Sequence, residues 1–401
     1  MIVGLIGKPN TGKSTFFNAA TLLNVPVANY PFTTIKPNVG IAYLRVECVC
    51  KKLGVIDNPI NSICVNGVRF IPVKLIDVAG LVPGASQGRG LGNKFLDELR
   101  QADALIHIVD ASGSTDEEGK LCEPGSHDPL FDIEFVEREF DMWVTDKLRI
   151  DWPRISRTVE AKAGKLSDIL AEKLSGFSIK EDQIIDALNI AGLKQDKPSL
   201  WSDNDLYNFC KILRERSKPT LIAANKADLS ISTKNIQRIK DSGRLVIPCA
   251  SEAELLLRRA AEKKLIKYLP GDSDFEILDL AKLTSEQKRA LNLVRDKVLK
   301  VWGNTGVQQC INAAYFDLLQ SIVVYPVEDE NKLSDKKGNV LPDAYVMRKG
   351  STTKDLAYMI HTELGDTFLY AIDAKRGIKL GADYELKNND VIKIVATARK
   401  G

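Results

Sequence analysis

No apolar run in this chain approaches the ~20 residues that a helix needs to cross a bilayer. The formal net charge is only +3 over 401 residues, so no global field draws the protein to nucleic acid or membrane, and any basic patch must be local. The 7 cysteines are an odd number without regular spacing, which excludes a disulfide framework and points to reduced thiols. Their one cluster is Cys48-x-Cys50 with Cys64. Three thiols without an evident fourth ligand, at a spacing unlike a zinc knuckle, read as structural thiols rather than a metal site. The run Ile2–Ile6 reads as a first strand, not as a charged leader with a cleavage site. No secretory signal is therefore expected, and the cytoplasm is the expected compartment. With 44% hydrophobic and 27% charged residues the composition is that of ordinary globular protein, and the length asks for two or three domains.

What is present is concentrated behind that first strand. Gly7-Lys8-Pro9-Asn10-Thr11-Gly12-Lys13-Ser14 follows Ile2–Ile6 and opens into the helical run Thr15-Phe16-Phe17-Asn18-Ala19-Ala20. A strand, a G-x-x-x-x-G-K-S loop and a helix form the layout of a phosphate-binding loop. Glycine lets the backbone bring N–H groups up to phosphate oxygens, and the helix adds its unpaired N–H groups and positive dipole end. Asn10, Thr11, Gly12, Lys13, Ser14 and Thr15 are the candidate nucleotide-binding residues here. Lys13 is expected at the β- and γ-phosphates, where it would also serve catalysis, and Ser14 at Mg²⁺.

Further stretches follow in chain order. Asn29–Gly40 holds Pro31 and Pro37, which forbid a helix and predict a long loop. A threonine in it could complete a Mg²⁺ shell and order the loop as a switch. The apolar strand Val73–Ile76 ends in Asp77-Val78-Ala79-Gly80, the end at which α/β sheets place ligand chemistry. Asp77 would hold Mg²⁺ through water, and the N–H of Gly80 would sense the γ-phosphate. The glycine-rich run Leu81–Gly92 suits a loop that reorders on nucleotide turnover. Thr220–Ala224 then feeds Asn225-Lys226-Ala227-Asp228. The Asp228 carboxylate would accept from the N1–H and amine of guanine, which adenine cannot offer together. The Lys226 stem would cover the base, and Asn225 would tie this loop to the phosphate loop. Cys249-Ala250-Ser251 supplies the remaining candidate base contacts, Ala250 and Ser251, with the usual Ser-Ala order inverted.

Between these motifs, residues 130–215 are charged and helical. Ile133, Val136, Phe140 and Trp143 form one apolar stripe, and Ile155, Val159, Ala163, Leu166, Leu170 and Leu174 a second. Ser202-Asp203-Asn204-Asp205 reads as a helix start.

The runs Asn29–Gly40 (NYPFTTIKPNVG) and Asp77–Arg100 (DVAGLVPGASQGRGLGNKFLDELR) resemble the Obg family of GTPases, and within it the YchF-like branch with an archaeal group of GTP-binding proteins. The resemblance extends over nearly the whole chain. It implies an α/β P-loop NTPase domain at 1–129 and 216–322, a helical insertion at 130–215, and a β-grasp TGS domain at 323–401. That last assignment matches Lys349-Gly350-Ser351-Thr352-Thr353-Lys354-Asp355-Leu356-Ala357 and Asp390–Val395. Family pattern favours Thr34 as the switch threonine, a Mg²⁺ ligand and catalytic residue. It also implies GTP or GDP with Mg²⁺ as ligands, slow hydrolysis, and association with ribosomes or RNA. Most of the branch are ATPases whose base-reading motif ends in Glu; Asp228 points back to GTP. Leu81 stands where Ras-like proteins carry the glutamine that orients water, so a K⁺ ion, a switch residue or a partner must do so. Asn10 matches the asparagine that helps hold K⁺ in related GTPases. The C-terminal module is nearly balanced in charge, too balanced for strong nonspecific RNA binding. An RNA-binding scaffold with incidental nucleotide turnover is the rival reading.

Overall fold

The computed structural model describes residues 1–22, 38–78, 80, 98–177 and 179–397. Thr34, Leu81 and most of the two expected switch loops lie outside the described residues. The described residues form two compact units: Met1–Leu22 with residues 38–40 and those described within Lys74–Cys310, and Ile41–Val73 with residues 311–397. No described helix is long and apolar enough to cross a membrane.

In the first unit the strands β1 (Ile2–Ile6), β5 (Ala104–Asp110), β6 (Thr220–Asn225) and β7 (Val246–Pro248) join the end of β4 (Val68–Asp77), which enters this unit at Lys74. They run in the order β4-β1-β5-β6-β7, parallel throughout. Parallel strands covered on both faces read as continuous apolar runs, and Ala104–Asp110 is buried at every position. The registers Leu5↔Asp77, Leu5↔Ile106 and Asp110↔Asn225 bring the carboxyl ends to one rim. Helix α1 (Lys13–Thr21) leaves that rim and buries Phe16, Ala19 and Ala20.

The helical insertion shares this core. A helix over Pro129–Glu160 starts with Asp128 as N-cap, accepting from the Leu130 N–H, and Pro129 in the first turn. Ile133, Val136, Phe140 and Trp143 are buried along it, as the first stripe predicts. The second stripe is not one helix. Lys162 adopts a left-handed φ of 58°, Ala163 is exposed, and a new helix starts at Leu166. Helices Glu181–Ala191 and Asp203–Ser217 complete the insertion, the latter with the expected Ser202 cap locked reciprocally to Asp205. Phe135, Trp143, Leu170, Ile184 and Phe209 belong to one apolar cluster with Ile6, Ile76 and Leu105 of the sheet. The insertion therefore packs as part of the first unit.

In the second unit, β10 (Ser321–Val327), β11 (Tyr345–Arg348), β12 (Phe368–Asp373), β13 (Ile378–Leu380) and β14 (Asp390–Ala396) form a mixed sheet in the order β11-β10-β14-β12-β13. Helix Thr353–Ile360 crosses it, capped by Thr352 and Asp355, and Leu356 joins the sheet core. This is the β-grasp arrangement. Residues 41–73, placed by sequence in the nucleotide domain, fall in this compact unit. The reason is backbone pairing: the N–H groups of Asn58 and Ile60 donate to the carbonyls of Val340 and Pro342 at 3.1 and 2.7 Å. No composition shift marks a strand that enters one unit from another.

Candidate functional site

The phosphate loop is shaped by two close approaches. A Cβ on Gly7 would lie 2.5 Å from the Ile108 carbonyl oxygen, and one on Gly12 2.2 Å from the Asn225 amide nitrogen. Gly12 also has φ of 93°, a conformation open to glycine, and it caps α1 so that the first N–H groups of the helix face the loop. The Thr11 hydroxyl closes the loop on the Lys8 carbonyl at 3.1 Å.

A cavity of about 580 Å³ opens over this loop. It is lined by Lys8, Pro9, Asn10, Gly12, Lys13, Ser14, Thr15, Gly80, Asn225, Lys226, Asp228, Ser251 and Glu252. Most of the sequence-derived residues thus meet at one place from four separate segments. Lys13 forms an ion pair with Asp77, and the exposed Ser14 stands beside Lys13 in the first helical turn. Asp228 and Glu252 line the same cavity. Asn225 ties these segments together: its Nδ2 donates to the Thr11 carbonyl at 2.8 Å, and its Oδ1 accepts from the Ser251 N–H and hydroxyl at 3.0 and 2.9 Å. Thr11, Asp77 and Ala250 are not lining residues; Asp77 reaches the cavity through its ion pair with Lys13. Thr11 is buried, and the Ala250 N–H donates to the Thr305 carbonyl at 2.8 Å.

Several participants escape motif reasoning. Lys226 is held by Asp110 at 2.8 Å and by the Ser114 hydroxyl at 3.0 Å. Asp110 also accepts from Ser112 and Thr115. Burial alone would raise the Asp110 carboxyl; the hydrogen bonds from Lys226 and Ser112 outweigh it and hold the group below the usual carboxylate range. Asp110 could have been found, because it ends a wholly buried, mostly apolar parallel strand at the rim where Asp77 also stands. The loop after it sits on the phosphate loop. Lys8 donates to the carbonyls of Thr115 and Asp116 at 2.8 and 2.7 Å and pairs with buried Asp132, whose other partner is His127 at 2.7 Å. The Asn10 amide donates to the Gly119 carbonyl at 2.9 Å. Glu252 carried no motif signal.

Chemically, the cavity offers a lysine and helix N–H groups to a polyanion, a serine hydroxyl and the Asp77 carboxylate beside that lysine, and the further carboxylates of Asp228 and Glu252. With a parallel sheet bearing the loop at a central strand end, these features define a P-loop GTPase domain, here with a helical region and a C-terminal TGS domain. Residues 2–131 match the family described as 50S ribosome-binding GTPase, residues 223–329 the Obg-like GTPase YGR210-like, G4 motif-containing domain, and residues 337–396 the TGS domain. An uncharacterized GTP-binding protein of Methanocaldococcus jannaschii is 54% identical over 99% of this chain and 100% of its own length. An uncharacterized GTP-binding protein of Schizosaccharomyces pombe is 37% identical over 90% of each chain. The ribosome-binding ATPase YchF of Bacillus subtilis is 28% identical over 92% of this chain and 87% of its own. A crystal structure of a GTP-binding protein from Pyrococcus horikoshii superposes with a TM-score of 0.78 at 41% identity, covering 99% and 100% of the two chains. The chain belongs to the YchF-like family of GTPases.

Proposed function

We propose that this protein binds GTP with Mg²⁺, hydrolyses it slowly to GDP and phosphate, and acts as a nucleotide switch on ribosomes or RNA. The observation that carries the reading is the position of Asp228. Asp228 lines the same cavity as Lys13 and Ser14, three residues after Asn225, whose side chain ties this loop to the phosphate loop. A carboxylate there pairs with the N1–H and amine of guanine; adenine would leave it unpaired.

The donor set fits the metal. A serine hydroxyl in the first turn of α1 and the Asp77 carboxylate are hard oxygen ligands, the kind Mg²⁺ takes alongside phosphate. Bound Mg²⁺ supplies charge neutralisation at the β- and γ-phosphates. Lys13 then turns from Asp77 to the phosphates, the helix N–H groups hold them, and the Gly80 N–H meets the γ-phosphate. Thr34 is the proposed switch ligand. The chain provides no nucleophile; its work is positioning and charge stabilisation. Because the Asn10 nitrogen is engaged by Gly119, its amide oxygen is the atom for a K⁺ ion.

Ribosome association rests on relatives named ribosome-binding ATPases and on the TGS module. Those names also favour a second reading, ATP as the substrate, which a direct comparison of GDP and ADP affinity decides. For the switch itself, full-length protein is sedimented with ribosomes at low salt. Cosedimentation with a non-hydrolysable GTP analogue but not with GDP is expected. Its absence in every nucleotide state rejects the ribosome assignment and leaves nucleotide binding standing.

A further inference from the structure

In the second unit, on the stretch of chain between the Asn29–Gly40 and Asp77–Gly80 motifs, four ligand atoms converge. The thiols of Cys48, Cys50 and Cys64 and a carboxylate oxygen of Asp57 all lie within 4.8 Å of one another. Cys48 stands between β2 (Val39–Glu47) and helix α2 (Val49–Leu53), Cys50 lies in α2, and Cys64 lies on β3 (Ile63–Val65). Asp57 comes from the loop that joins α2 to β3, so no spacing motif includes it. It is the fourth donor whose apparent absence made the sequence read as structural thiols.

We infer that these four residues form a structural zinc site. Three thiolates and a carboxylate suit Zn²⁺, which prefers four-coordinate tetrahedral N, S and O donors. Zn–S bonds of about 2.3 Å set the thiolates about 3.8 Å apart along a tetrahedral edge. The Cys50 and Cys64 sulfurs are 3.9 Å apart, and Cys48 Sγ is 3.1 Å from Asp57 Oδ2. A divalent ion held by four anionic donors leaves a net negative charge in a buried place. Arg69 stands against it: wholly buried, it donates to Asp57 at 2.8 Å from β4, where it pairs with Cys64. Orienting a ligand carboxylate through such a partner is the usual outer support of metal sites. With four protein donors no position remains for substrate, so the site is structural.

Its effect extends along Arg69. The same guanidinium donates to the Leu341 carbonyl at 2.8 Å and lies 5.6 Å from the Tyr325 ring. Zinc would close the loop of residues 48–64, which has little regular structure between Leu53 and Ile63, and fix Arg69 against the β-grasp strands.

The test uses full-length protein purified without a metal-affinity step, under reducing conditions. Elemental analysis should find about one zinc per chain, since the donor set closes a single four-coordinate site. Replacement by Co²⁺ should give the thiolate-to-cobalt charge transfer and visible bands of a tetrahedral site. Cys64→Ser and Asp57→Asn should lose most of the zinc, whereas Cys122→Ser, in the other unit, should retain it. Chelation should lower the melting temperature of the wild type and leave that of Cys64→Ser unchanged. The inference is overturned by zinc-free wild-type protein that gives no tetrahedral cobalt spectrum. A Cys50–Cys64 disulfide in freshly reduced protein, or equal zinc loss from Cys122→Ser, overturns it as well.

Discussion

The Asn225 side chain lies between Thr11 and Ser251, donating to the carbonyl of the first and accepting from the N–H and hydroxyl of the second. One buried amide thus ties the phosphate loop to both base-side loops. Asn225→Ala leaves the Thr11 carbonyl and the Ser251 donors without that partner. Roughly 2–4 kcal/mol of hydrogen bonding is lost, and GDP binding should weaken by about 10- to 100-fold. Fluorescent GDP titration measures it; affinity within about twofold of wild type, under 0.5 kcal/mol, would mean the tie is dispensable.

Gly12 is the space into which that amide fits. Gly12→Ala meets both a left-handed φ and a 2.2 Å approach to Asn225, so it should destabilise the protein by about 2–4 kcal/mol. Gly192→Ala separates the two effects. That residue also has a positive φ, 63°, but nothing lies near its Cβ, and its cost should be about 1 kcal/mol. Urea unfolding of both variants makes the comparison, and equal costs would contradict the steric account.

Much of the first unit was legible because its strands are buried on both faces and its motifs fall at their carboxyl ends. Asp77, Asn225 and Asp228 follow apolar runs that can only be parallel core strands, so the sequence places them on one rim. Ser202 was readable for a local reason, a side chain that caps its own helix. Other features depend on distant partners. Ala163 continues an apolar period, yet the Lys162 turn puts it in solvent. Ala250 sits beside the base-side loop, but the Thr305 carbonyl takes its N–H. Asp57 meets three thiols only after β3 folds back along β4.

Asp110 gives a pH dependence with a definite sign. Its carboxyl is held below the ordinary range in the folded protein, so its contribution to stability is fully present above the unfolded value of about 4. That contribution is lost as pH falls through the lower folded value. Asp110→Asn should cost about 2–4 kcal/mol at pH 7, by stripping Lys226 of its buried anion. The gap between variant and wild type should stay level from neutral pH down to about pH 5 and close at more acid pH. Urea midpoints across that range test it; a gap that widens on acidification would reverse the assignment.

Leu81 replaces a water-orienting amide with a hydrocarbon, so turnover without a partner should be on the order of 10⁻⁴ to 10⁻² s⁻¹. If the Asn10 amide oxygen holds a monovalent ion, KCl should accelerate phosphate release and NaCl at equal ionic strength should not. Asn10→Ala should remove the difference. Equal rates in both salts would assign activation to a switch residue or a partner.

Base choice is the central matter, because the same loop fold serves relatives named for ATP. Pairing against an unpaired carboxylate is worth about 3 kcal/mol, so GDP should displace fluorescent GDP at a concentration at least ~100-fold lower than ADP does. Asp228→Asn should narrow that ratio while thermal unfolding stays unchanged. The decisive measurement is this competition on wild-type protein with GDP and ADP under identical Mg²⁺ and salt. Preference for GDP by two orders of magnitude is the expected result; displacement by ADP at equal concentration would contradict guanine recognition by Asp228.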